Sequence, residues 1–145
     1  MTAEQARCEL CEGDGGEVLF STAKFRVVLV DDDQYPGFCR VIWRDHVKEM
    51  TDLSVDERAI FMCAVWSVES TIRTVMQPEK INLACFGNMT PHLHWHVIPR
   101  YLDDAHFPQP VWGSVQQTTS PEALTARRAL LSVLVPALQT ALAQL

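Results

Sequence analysis

At 145 residues the chain has the length of one domain, and its 48% hydrophobic content suffices to close an apolar core, which excludes disordered, collagen-like and low-complexity classes. A formal net charge of −6 argues against a nucleic acid polymer as partner, because phosphate-backbone binders carry a basic patch. The same charge leaves a small anionic ligand open, since a few local donors can hold one phosphate chain.

No internal repeat or linker divides the chain, so residues 1–145 are expected to form a single domain. The first 17 residues are polar and lack the apolar core of a signal peptide. Within them Cys8 and Cys11 form a CxxC pair with zinc-knuckle spacing, which alone supplies only two ligands. Strands are predicted over 17–22 (EVLFST), 25–31 (FRVVLVD) and 39–44 (CRVIWR), with a Pro36-Gly37 turn before the third. Ser54 to Glu57 reads as a capping box that opens a helix. Phe61, Ala64, Val65, Val68, Ile72 and Val75 give that helix one core face, and it is expected to stop before Pro78. Two further strands are predicted over 81–86 and 92–98, the second bracketed by Pro91 and Pro99. Ser120-Pro121 starts a last helix in which Leu124, Leu131, Leu138 and Leu145 form a core stripe, with Pro136 interrupting the run. The order predicts an α+β domain with an antiparallel β-sheet, one long central helix and a C-terminal helix. No stretch reads as a membrane span, the most apolar (129–145) being broken by polar residues and Pro136. A cytoplasmic protein with five reduced cysteines is expected.

The chemistry concentrates in residues 91–100. Side chains alternate faces on a strand, so His92, His94 and His96 are expected on one face, with Leu93, Trp95 and Val97 on the core face. A metal held by all three histidines is disfavoured, because four strand steps separate the outer Cα atoms by roughly 13 Å while zinc–nitrogen bonds are about 2 Å. A row of neutral imidazoles suits phosphate chemistry better. The middle one attacks phosphorus without prior deprotonation and its neighbours donate to the oxygens.

The segment from Pro91 to Arg100 resembles the signature of the histidine triad (HIT) family, and the similarity extends to Pro36-Gly37, Val41-Ile42, His46, Thr51 to Ser54 and Gly87-Asn88. The resemblance implies a HIT-like fold, nucleotide binding and attack at an α-phosphate. It implies His94 as the nucleophile and His96 as the residue that bonds phosphate oxygens and assists the leaving group. Gly87 and Asn88 would contact phosphate, and Asp31, or else Asp32 or Asp33, would hold the ribose hydroxyls. His92 would belong to the substrate site or to a structural zinc site completed by Cys8, Cys11 and His46; no organic cofactor is implied. The family reading further implies a small-molecule nucleotide substrate, such as a dinucleoside polyphosphate or a nucleoside phosphoramidate, and a homodimer. Transfer to an acceptor, or slow turnover in a nucleotide-binding module, are its alternatives. The chain departs from the pattern at Trp43, where proline is frequent, and at Met89. His106 and Trp112 belong to an unusual segment after the triad, which reaches either the substrate pocket, a partner subunit or only the surface.

Overall fold

In a computed structural model, which describes residues 2–145, five antiparallel strands form one sheet in the order β1-β2-β3-β5-β4. The strands are β1 (Glu17–Ser21), β2 (Phe25–Leu29), β3 (Cys39–Trp43), β4 (Lys80–Ala84) and β5 (His94–Arg100). The helices are a short α1 (Glu9–Glu12), the long α2 (Val55–Met76), α3 (Pro121–Ala129) and α4 (Leu131–Leu142). The α+β class and the long helix are as the sequence predicts.

Helix α2 starts where the capping box places it. The Ser54 hydroxyl accepts from the Glu57 amide at 3.2 Å, and the Glu57 carboxylate accepts from the Ser54 amide at 3.0 Å. It ends at Gln77, which takes a left-handed conformation just before Pro78. Phe61, Ala64, Val65, Val68, Ile72 and Met76 are buried against one sheet face, on which Val27, Val41, Trp43 and Val97 also lie buried. By length and composition α2 does suffice to cross a bilayer, contrary to the expectation that no stretch would. Its buried stripe packs on the sheet and α4, as the core helix of a globular fold does.

The expected C-terminal helix is two helices joined at Leu130. Pro136 lies inside α4 without ending it. Leu134, Leu138 and Leu142 are buried against α2, whereas Leu145 is 62% exposed. The buried leucines therefore follow the i, i+4, i+8 spacing of a packed helix rather than the seven-residue repeat seen in the sequence.

Register defines the opposite sheet face. Arg40 pairs with Val28 and His96, and Ile42 pairs with Arg26 and His94. These six residues therefore share one face. The N-terminal segment covers part of it, with Cys8 and Leu10 packed on Val28 and Ile42. Arg26 clips that segment down by donating to the carbonyls of Leu10, Gly13 and Asp14.

Candidate functional site

Strand β5 begins at His94, two residues later than the sequence predicts. The backbone just before it turns, with the His92 amide donating to the Thr90 carbonyl and the Leu93 amide to the Val47 carbonyl, both at 2.8 Å. The three histidines are therefore not one row, which corrects the expectation of a shared face. The rings of His94 and His96 meet edge-on at 4.8 Å, while the His92 ring meets His46 at 5.2 Å.

His94 is buried and its tautomer is set by the backbone. Nδ1–H donates to the His92 carbonyl at 2.5 Å, so Nε2 carries the free lone pair. Burial lowers its pKa below the ordinary 6.5, and the charge of Arg40 adds to this against the backbone bond. Burial, with His94 and Arg40, takes His96 to about 3. Both imidazoles are thus neutral at neutral pH. His96 Nδ1 is buried without a partner among the described residues.

His94 and His96 open into a cavity of about 720 Å³, within the usual range for small-molecule sites. Arg40, Gly87, Asn88 and Trp112 also line it. Gly87 adopts φ +77°, the left-handed conformation that turns the chain from β4 back toward the histidines. The sequence-predicted pair Gly87-Asn88 is therefore brought to the cavity. Asp31 is not among the lining residues; it lies past the end of β2 and is exposed. Asp32 accepts from the Gln34 amide in the turn, and Asp33 faces Arg128. Sequence reasoning missed Arg40. Its only signal is the alternation with Ile42 in CRVIW, and nothing in the sequence says that this strand pairs with the histidine strand.

Trp112 reaches the cavity and meets His96 at 5.0 Å and Phe86 at 5.1 Å. A buried ion pair at the root of its segment positions it. Arg100 and Asp104 make two hydrogen bonds, at 2.7 and 3.1 Å, and Arg100 also donates to the Asn82 side chain and the Gln109 carbonyl. The Asp104 carboxylate accepts further from the amides of Tyr101, His106 and Phe107. Burial alone would raise its pKa, but the Arg100 and amide bonds outweigh it and hold the group at about 2. His106 joins this knot, not the cavity lining: its Nδ1 lies 2.6 Å from the Tyr35 hydroxyl. Asp104→Ala leaves Arg100 as an unpaired buried cation, with an expected cost of about 3–5 kcal/mol. At about 2–4 °C per kcal/mol, the melting temperature should fall by roughly 10 °C. Thermal unfolding checks this, and a shift below about 2 °C would contradict the account.

Cys8, Cys11, His46 and His92 converge on the other side of His92, their ligand atoms all within 4.8 Å of one another. Sγ of Cys8 and Cys11 each lie 3.4 Å from Nδ1 of His92, and Cys11 Sγ lies 3.3 Å from Nδ1 of His46. Tetrahedral ligation with bonds of about 2.0–2.3 Å sets ligand atoms roughly 3.3–3.8 Å apart, a range these three spacings meet, so the Cys2His2 set suits a zinc ion. The His92 ring is oriented for it, because Nε2–H donates to the Trp43 carbonyl at 2.7 Å and leaves the Nδ1 lone pair facing the sulfurs. Burial and the adjacent Cys8 push the Cys11 thiol up to about 11, so a cation is what would hold it as a thiolate.

Known proteins share this fold. The HIT domain family profile matches residues 15–103. An AP-4-A phosphorylase from Mycobacterium tuberculosis (strain ATCC 25618 / H37Rv) is 31% identical over 103 residues, covering 67% of this chain and 51% of its own. The chain thus spans about half the length of the curated relatives it matches. The crystal structure of a histidine triad protein from Bradyrhizobium japonicum superposes with a TM-score of 0.70 at 25% identity, covering 88% of this chain and 90% of that one. A Zn-bound histidine triad family protein from Mycobacterium smegmatis shares the fold with a TM-score of 0.54 at 21% identity, covering 92% and 99%. The CxxC pair and Trp112 lie outside the residues matched by the family profile.

Proposed function

The chain belongs to the HIT domain family, and on that premise we propose that it hydrolyses a nucleoside phosphate derivative at the α-phosphorus through a nucleotidyl group carried on His94. The observation that carries this reading is the Nδ1–H bond from His94 to the His92 carbonyl, which leaves Nε2 free on a side chain lining the cavity. In the first step the Nε2 lone pair forms an N–P bond as the bond from phosphorus to the leaving group breaks. A neutral His96 ring donates its N–H toward the phosphate oxygens or the departing atom, and Asn88 donates to the phosphate. In the second step water attacks phosphorus, the N–P bond breaks, and a nucleoside monophosphate leaves. The product phosphate takes up the hydroxyl and the other proton of water is released; a phosphate chain leaves as its anion, whereas the amine of a phosphoramidate takes a proton from solvent as its bond to phosphorus breaks, which that release balances. Imidazole suits both steps because it is an uncharged nucleophile and a competent leaving group.

The substrate is proposed to be a dinucleoside polyphosphate, such as diadenosine tetraphosphate, or a nucleoside phosphoramidate. A second reading has inorganic phosphate replacing water as the acceptor, and the name of the curated relative, AP-4-A phosphorylase, supports it. The test is product analysis across both substrate classes, with and without inorganic phosphate. The hydrolase reading expects nucleoside monophosphate in phosphate-free buffer. Turnover only with phosphate present, yielding nucleoside diphosphate, would replace it with phosphorolysis; no cleavage of either class would overturn both.

The Cys8, Cys11, His46 and His92 cluster is proposed to hold a structural zinc. With four protein ligands the site is closed, so the ion supplies cohesion and not an activated water. His92 then has two jobs, with its ring in the metal cluster and its carbonyl setting the tautomer of the nucleophile.

A further inference from the structure

We propose that Arg40 binds the anionic group on the far side of the scissile phosphorus and thereby selects substrates whose leaving group is a phosphate chain. The inference rests on the hydrolase reading and goes beyond it in naming the residue that decides the leaving group. Arg40 lies directly across from His96 in the β3–β5 register and lines the cavity with His94 and His96. It carries a full charge, yet it forms no ion pair among the described residues. Glu9, whose charge reaches it, is instead engaged with the Thr90 hydroxyl at 2.5 Å. Among the described residues Arg40 makes one hydrogen bond, from Nη1 to the Gly15 carbonyl at 3.0 Å, and its Nε is buried with no acceptor.

Arg26 supplies the internal comparison. It lies on the same face and satisfies its guanidinium with three carbonyls of the N-terminal segment. If Arg40 were a second clip of that kind, its fork would be similarly filled. A half-buried guanidinium with a free Nε, lining the cavity beside His94 and His96, instead lacks an anion. A phosphate chain matches it, because paired oxygens suit the planar fork and the charge on the leaving oxygen grows as its bond to phosphorus breaks. An amine departing from a phosphoramidate brings no such oxygens, so Arg40 acts on one substrate class and not the other.

The test compares wild type, Arg40→Gln and Arg40→Lys on diadenosine tetraphosphate and adenosine 5′-phosphoramidate. In Arg40→Gln the ratio of kcat/KM values, polyphosphate over phosphoramidate, is expected to fall by about 30-fold, the factor typical of losing one charge-assisted bond. Arg40→Lys, which keeps the charge but not the fork, is expected to fall less. An unchanged ratio, including an equal loss on both substrates, would make Arg40 a clip like Arg26 and overturn the proposal. Equilibrium binding of ATP against AMP gives the same comparison without turnover. The preference for ATP should shrink in Arg40→Gln, and a preserved preference overturns the proposal. A wild type that cleaves neither substrate would sink the hydrolase reading, while the binding ratio would still decide Arg40.

Discussion

His94→Ala is expected to lower turnover by at least about 10³-fold while leaving the melting temperature within a few degrees of wild type. The size follows from the role. A residue that forms the bond to phosphorus cannot be replaced by positioning alone, and what survives its loss is the contribution of binding and oxyanion contacts. The small stability cost follows from the location. His94 sits at the start of β5, its side chain faces a cavity, and its one hydrogen bond goes to a carbonyl two residues away. Quenched-flow labelling of wild type with a radiolabelled nucleotide should capture label on the protein, and His94→Ala should capture none. Retained activity above a tenth of wild type would remove the nucleophile assignment.

Zinc removal is expected to have the largest effect on stability. Protein purified without added metal should contain about one zinc per chain, and a strong chelator should lower the melting temperature by about 10 °C or more, given the several kcal/mol that structural zinc sites contribute. Cys11→Ser should abolish stoichiometric binding. The effect should also reach catalysis. A zinc ion in the cluster would immobilise the His92 ring, and the His92 carbonyl holds the tautomer of His94, so the demetallated protein is expected to be slower even below its melting temperature. Zinc well below one per chain, together with a melting temperature unmoved by chelation, would refute the structural role.

Much of the fold was legible because local signals carried it. The Ser54 and Glu57 capping box, the periodic core face of α2 and the Pro-Gly turn before β3 each act within a few residues. The CxxC pair and two isolated histidines were legible as one cluster only through the family resemblance, since Cys8 and His92 are 84 residues apart. What was not legible depends on long-range pairing. The β3–β5 register that sets Arg40 across from His96 has no sequence signature. The alternation rule failed at His92 because it assumes strand geometry, and the backbone there turns under tertiary bonds to Val47 and Trp43. The seven-residue spacing of leucines was right at Leu138, and Leu131 packs partly on the core, but packing against α2 added Leu134 and Leu142 and left Leu145 exposed.

The Arg100–Asp104 knot divides the segment that follows the histidine strand into a fixed root and an exchangeable tip. The carboxylate collects its bonds from residues 100, 101, 106 and 107, together with Tyr35. The stretch from Pro110 to Gly113 adds its own tight turn and packs Val111 against the cluster of Tyr35, Phe38 and Ile98, and it carries Trp112, which is 53% exposed. Changes at Trp112 therefore leave the hydrogen bonds of the Asp104 carboxylate untouched. Substitutions at Trp112 alone can remodel the rim of the cavity while Val111 and the Pro110–Gly113 turn keep the tip in place, which makes this one position the natural place to retune which ligand the cavity accepts.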